Sequence, residues 1–124
     1  MKWSLQQLYK AGQAGVTFDE IVEITDFIGS IDDILGASSF RVSGTGHYVY
    51  GDRYVFNIHI EGTLILECAL TLEEVPYQVV IDTVEVFDKI VDEEVNYIEK
   101  NTIDLLPIVW ENILVEKPMK VTKY

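Results

Sequence analysis

Residues 53–72 read RYVFNIHIEGTLILECALTL, and the phase of this stretch decides the fold. Its even positions are Tyr54, Phe56, Ile58, Ile60, Gly62, Leu64, Leu66, Cys68, Leu70 and Leu72. Asn57, His59, Glu61, Thr63, Glu67 and Thr71 stand among the odd ones. Alternation with period two belongs to a strand with one buried face. The phase passes through Gly62 unbroken. A tight two-residue hairpin at that point would set the apolar face of one arm beside the polar face of the other. The stretch therefore reads as one long strand bent at Gly62, where a missing β-carbon permits a kink or bulge. A hairpin with a bulge at Gly62 is the alternative.

Just upstream, residues 40–50 alternate in the same way, with Phe40, Val42, Gly44, Gly46, Tyr48 and Tyr50 on one face. A two-residue turn at Gly51-Asp52 would pair even positions with odd ones. A three-residue turn, Gly51-Asp52-Arg53, pairs Tyr50 with Tyr54 and Tyr48 with Phe56 and keeps the faces matched. That register sets Gly44 against Ile60 and Gly46 against Ile58. Two glycines on a buried face leave a trough, which Trp110 is expected to fill. The same register places His47 opposite Asn57 and diagonal to His59 on the polar face.

Toward the N-terminus, Ser4 caps a short helix, LQQLYKA, closed by Gly12. Residues 17–25 have β character of mixed phase and read as a strand. Ser30 followed by Asp33 resembles a capping box, and Gly36 would stop a single-turn helix there. Toward the C-terminus, Glu73-Glu74-Val75-Pro76 reads as a turn. Residues 77–87 form another strand, apolar on both faces near its middle. Between Asp82 and Glu99 seven acids meet one lysine, which reads as a solvated, mobile connection. Thr102 or Asp104 starts a helix that tolerates Pro107 in its first turn and presents Leu106, Val109, Trp110, Ile113 and Leu114 on one face. The expected fold is mainly β of the α+β class. It is an antiparallel curved sheet or partial barrel with a short N-terminal helix and an amphipathic C-terminal helix, in one domain over residues 1–124.

Composition narrows the function. At 48% hydrophobic residues the chain can bury a core, and no apolar run approaches the length of a membrane span. The opening MKWSLQQLYK lacks the apolar segment of a signal peptide. One cysteine excludes an internal disulfide framework and fits a reducing, cytoplasmic setting. The net charge is −12, and all 21 acidic residues lie between Asp19 and Glu116. Only Arg41, Arg53, Lys89 and Lys100 oppose them in that span, while Lys2, Lys10, Lys117, Lys120 and Lys123 sit at the ends. Such a body repels phosphate and favours basic partners, which argues against DNA.

Candidate chemistry is sparse. Cys68 falls on the apolar face, where a thiol is ordinarily core. His47 and His59, with Glu61 or Glu67 near them, would be the residues of a small metal-dependent enzyme. The carboxylate pairs Asp32-Asp33, Glu73-Glu74 and Glu93-Glu94 stand in expected turns, where such pairs are solvated. Gly44-Thr45-Gly46 opens no helix and so makes no phosphate loop. No nucleophile has a visible base, so no catalytic residue, metal or cofactor is expected. Tyr48, Tyr50, Tyr54 and Phe56 could stack on bases but share the core face. The remaining contact candidates are the basic ends: Lys2, Trp3, Lys10, Lys117, Lys120 and Lys123.

Three pieces of the chain, taken together, resemble a known family. Gly62, Leu64, Leu66 and Cys68, running on to Leu72, Glu73, Glu74 and Val75, look like the G-x-L-x-L-x-C stretch of the YceD family, the large-subunit ribosomal RNA accumulation proteins. The opening Met1–Leu8 and the segment Ile103-Asp104-Leu105-Leu106-Pro107 through Glu111-Asn112-Ile113-Leu114 to Lys117-Pro118-Met119 are similar to Firmicute members. Many relatives carry a second cysteine three residues after the first; here Thr71 stands in its place, so the C-x-x-C pair and its metal or redox reading are absent. The resemblance also implies a further acidic tail beyond Pro118-Met119, which this sequence, ending at Tyr124, does not contain. It implies a cytosolic factor in accumulation of large-subunit ribosomal RNA. Combined with the acidic body, it points to a non-enzymatic role in binding a basic ribosomal or assembly protein, with RNA contacted indirectly. The alternative is a direct RNA-binding module that uses the basic ends.

Overall fold

The computed structural model describes residues 1–29, 31 and 33–118. Ser30, Lys120, Lys123 and Tyr124 lie outside the described residues, and with them the expected capping box and two of the terminal lysines. The elements in chain order are β1 (Lys2–Ser4), α1 (Leu5–Ala11), β2 (Val16–Val22), α2 (Thr25–Ile28), β3 (Ile34–Ala37), β4 (Phe40–Tyr50), β5 (Arg53–Glu67), β6 (Glu74–Asp88), β7 (Asn96–Tyr97), β8 (Thr102–Asp104) and α3 (Leu106–Glu116).

The main sheet is mostly antiparallel, curled and open, in the order β2-β4-β5-β6-β7. Its centre is β5, one continuous 15-residue strand as its phase requires. Gly62 marks where β5 changes partners. Up to Glu61 it pairs with β4, and from Leu64 to Leu66 it pairs with β3. Ser38 fastens the corner between them: its N–H donates to the Thr63 carbonyl at 2.9 Å, and its Oγ accepts from the Thr63 N–H at 2.9 Å. The Phe40 ring lies over Gly62, in space that a β-carbon would need.

The β4–β5 turn corrects the expected register. It is the two-residue turn Gly51-Asp52, closed by Tyr50 against Arg53. A bulge at Val49 absorbs one residue and restores parity, so Tyr48 faces Tyr54, Gly46 faces Phe56 and Gly44 faces Ile58. Every partner is shifted by two, which leaves each face unchanged. The space over Gly46 is filled by Phe56 and not by Trp110, which stacks instead on Phe27 at 5.5 Å.

Other boundaries differ for local reasons. β2 ends at Val22, and the helical turn comes at Thr25–Ile28, while Gly36 lies in a strand. The β5–β6 turn runs through residues 68–73, closed by the Cys68 N–H donating to the Glu73 carbonyl at 2.8 Å. Leu70 and Leu72 therefore leave the apolar face and are exposed. Pro76 lies inside β6, opposite Ile65. Asp82–Asp88 belong to β6 as well, not to a solvated connection. β7 pairs parallel to the end of β6, the one parallel pairing among the described strands. Asp104 ends a short strand, and α3 begins only at Leu106.

The inner face of the sheet is covered by the helices and by the small β1–β8 ladder, which ties the N-terminal strand to the segment just before α3. Ser4 caps α1 as expected, and the cap is a full capping box: the Gln7 N–H donates to Ser4 Oγ at 3.2 Å, and the Ser4 N–H donates to Gln7 Oε1 at 2.9 Å. Leu8, Phe40, Phe56, Leu64, Val109 and Ile113 are fully buried in one core cluster. Among the described residues no helix is long and apolar enough to cross a membrane.

Candidate interaction face

The odd positions of β5 point away from this core, and the registers of its neighbours decide what they meet. Ser43 stands across from His59 on β4, and Asp82 stands across from it on β6. One row along, Arg41 and Val80 flank Glu61. β2 adds Asp19 opposite Ser43 and Ile21 opposite Arg41. Alternation thus aims one polar side chain from each of several strands at the same side, and an ionic band crosses the outer face.

Its contacts alternate in sign. Arg41 donates to Asp19 through two bonds, Nε to Oδ1 at 2.9 Å and Nη2 to Oδ2 at 2.6 Å. The Arg41 hydrogen bonds hold the Asp19 carboxyl below the ordinary carboxylate range. His59 Nδ1 lies 2.7 Å from Asp82 Oδ1, and its Nε2 lies 3.4 Å from Glu61 Oε2. Only an imidazolium donates from both ring nitrogens. The hydrogen bond to Asp82, then that to Glu61, raises the His59 pKa above the ordinary 6.5. A shallow depression lined by Ser43, Asn57, His59, Asp82 and Val84 opens beside the pair.

The structure does not bring the two histidines together. His47 faces Val55 and not Asn57, four residues along β4 from the position opposite His59. At about 3.3 Å per residue that is roughly 13 Å. Among the described residues, no group of three or more His, Cys, Asp or Glu side chains is placed to hold a metal ion. Cys68 is fully buried and forms no disulfide.

The basic ends divide. Lys2 and Lys10 are exposed. Trp3 packs on Phe18 at 5.3 Å and on Phe56 at 5.4 Å, as part of the core wall. Lys117 Nζ donates to Asp33 Oδ2 at 2.7 Å with its side chain 13% exposed, so it fastens the end of α3 to the start of β3. Sequence reasoning missed Asp82 as the partner of His59. The signal lay in the hairpin: centring the β5–β6 turn between residues 67 and 74 aligns position 59 with 82.

Residues 56–124 match the sequence model of a family described as large ribosomal RNA subunit accumulation protein YceD. The chain is also 37% identical over 126 residues to the uncharacterized protein YlbN of Bacillus subtilis (strain 168), an alignment covering 98% of this chain and 73% of that protein. No solved structure matches the chain.

Proposed function

The chain belongs to the YceD family, and on that premise we propose that it is a non-catalytic cytoplasmic factor for large-subunit ribosomal RNA accumulation that works by holding a basic ribosomal or assembly protein. The family's description supports a ribosome-related role. The choice of a protein over bare RNA rests on charge. Net charge is −12, and several of the few cations are already engaged by the chain's own carboxylates: Arg41 by Asp19, Arg53 by Asp88 and Lys117 by Asp33. Each phosphate contact needs a cation whose binding releases counterions, and the exposed lysines of the described residues, Lys2, Lys10, Lys89 and Lys100, are few and scattered along the chain. A basic partner reverses the sign, and the acidic field speeds its arrival at low salt.

The test is a pair of titrations of the isolated protein at about 0.15 M salt. One uses large-subunit ribosomal RNA and the other a purified basic large-subunit ribosomal protein. Tighter binding of the protein is expected, with an affinity that falls as salt rises. Sub-micromolar binding of the RNA alone would overturn this reading and favour a direct RNA-binding module built on Lys2, Lys10 and the terminal lysines.

A further inference from the structure

Among the described residues, no strand pairs with the outer edge of β6 along its middle. β6 pairs with β5 in one uninterrupted register from Glu74 to Phe87. In an antiparallel ladder alternate residues turn both backbone groups toward the partner, and the residues between turn theirs away. Two contacts fix which set points outward. The Val86 carbonyl accepts from Asn96 Nδ2 at 3.1 Å, and the Asp88 carbonyl accepts from the Ile98 N–H at 2.9 Å, both from the side away from β5. The even residues therefore face outward. Pro76 belongs to that set, so its missing N–H removes nothing from the β5 ladder. Between Pro76 at one end and β7 at the other, Gln78, Val80, Asp82 and Val84 turn their backbone groups away from β5, to a side where no described strand pairs with them. All four residues are exposed, Val80 by 53% and Val84 by 61%.

Edges of this kind recruit strands, and proteins commonly blunt them with lysine. β6 has no lysine or arginine; its open stretch carries one acid, Asp82, whose side chain is 78% exposed beside His59, and Glu74, Glu85 and Asp88 stand toward its two ends. An acidic edge repels a second copy of the same edge and attracts a basic strand. On the outer face the side chains alternate apolar, acidic, apolar at Val80, Asp82 and Val84. That is the complement of a segment with a cation between two apolar residues at every second position.

We propose that the edge of β6 from Gln78 to Val84 receives an extended basic segment of a protein partner as an added strand. This rests on the basic-partner reading above and says where and how that partner is held. Main-chain hydrogen bonds would supply affinity, and a lysine or arginine beside Asp82 would set the register.

The experiment uses the full chain and a capped synthetic peptide in which valine, arginine and valine alternate with threonine between flanking lysines. A control peptide has the same side chains but N-methyl groups on alternate residues. The first peptide should bind at least tenfold more tightly than the control. Amide exchange at Val80, Asp82 and Val84 should be fast in the free protein and slow on binding. Val80→Pro, which spares the β5 ladder as Pro76 does, should abolish the difference between the peptides. Should this variant not fold, the N-methyl comparison and the exchange data still decide. Equal binding of the two peptides overturns the edge and leaves the basic-partner reading standing. Failure of both peptides together with sub-micromolar RNA binding overturns both. A dimer of the free protein that Val80→Pro dissociates would show that the edge is taken by a second copy, and would also overturn the proposal.

Discussion

Gly46 stands directly across the β4–β5 ladder from Phe56, and the Phe56 ring lies where a β-carbon on Gly46 would have to go. The ring has no room to yield. Trp3 lies 5.4 Å from it, Phe87 5.5 Å and Phe18 6.3 Å, centroid to centroid. This one contact joins β1, β2, β4, β5 and β6 across the core. Gly46→Ala should therefore overpack the cluster and cost about 1–3 kcal/mol in urea unfolding. Phe56→Leu in the same chain should recover part of that loss. A cycle with no coupling between the two changes would show that the ring moves aside freely.

Cys68 is fully buried at the end of β5, where its backbone closes the turn to Glu73. A buried thiol in apolar surroundings is protected from reagents. Labelling of native protein should be slow and should accelerate only as the chain unfolds. Stoichiometric labelling of the folded protein within seconds would place the thiol at the surface.

Lys117 and Asp33 join the end of α3 to the start of β3, with the lysine largely buried and Asp33 42% exposed. Half-exposed pairs of this kind contribute about 0.2–1 kcal/mol. Lys117→Ala should lower stability by that order, and a double-mutant cycle with Asp33→Ala should assign the loss to the pair. Partner or RNA affinity should change little. A large loss of affinity with unchanged stability would restore Lys117 to the contact surface.

How far such features could be read in advance depended on how local their causes are. The alternation of β5 and the Ser4 cap of α1 are written in neighbouring residues, and both appear in the fold as expected. Alternation fixes parity only, so it kept Gly46 on the buried face but could not detect the Val49 bulge that shifts every partner by two. Leu70 and Leu72 continue the even phase past the end of β5, which hid the true turn and with it the His59–Asp82 pair. β1 and β8 have three residues each, too few to show a period, and they are about a hundred residues apart in sequence, so their pairing is a long-range outcome. The choice of Phe27 over the glycine trough by Trp110 is likewise a long-range packing outcome.

His59 should make the outer face sensitive to pH above the ordinary imidazole value of 6.5. Its ring nitrogens lie between Asp82 and Glu61, and both carboxylates favour the imidazolium. The unfolded chain lacks these partners, so the folded pKa exceeds the ordinary 6.5. A protonated group with a raised folded pKa contributes stability that is fully present below the unfolded value and lost as pH rises through the folded one. The His59 contribution should thus be complete below the ordinary 6.5 and be lost as pH rises through the raised folded value. Asp82→Asn removes the larger cause and should move the His59 midpoint, followed by NMR of the ring protons, back toward 6.5. Glu61→Gln should do the same to a smaller extent. A His59 midpoint at or below that of an unfolded peptide would mean that the two carboxylates do not hold the ring in solution, and the ionic band would lose its centre.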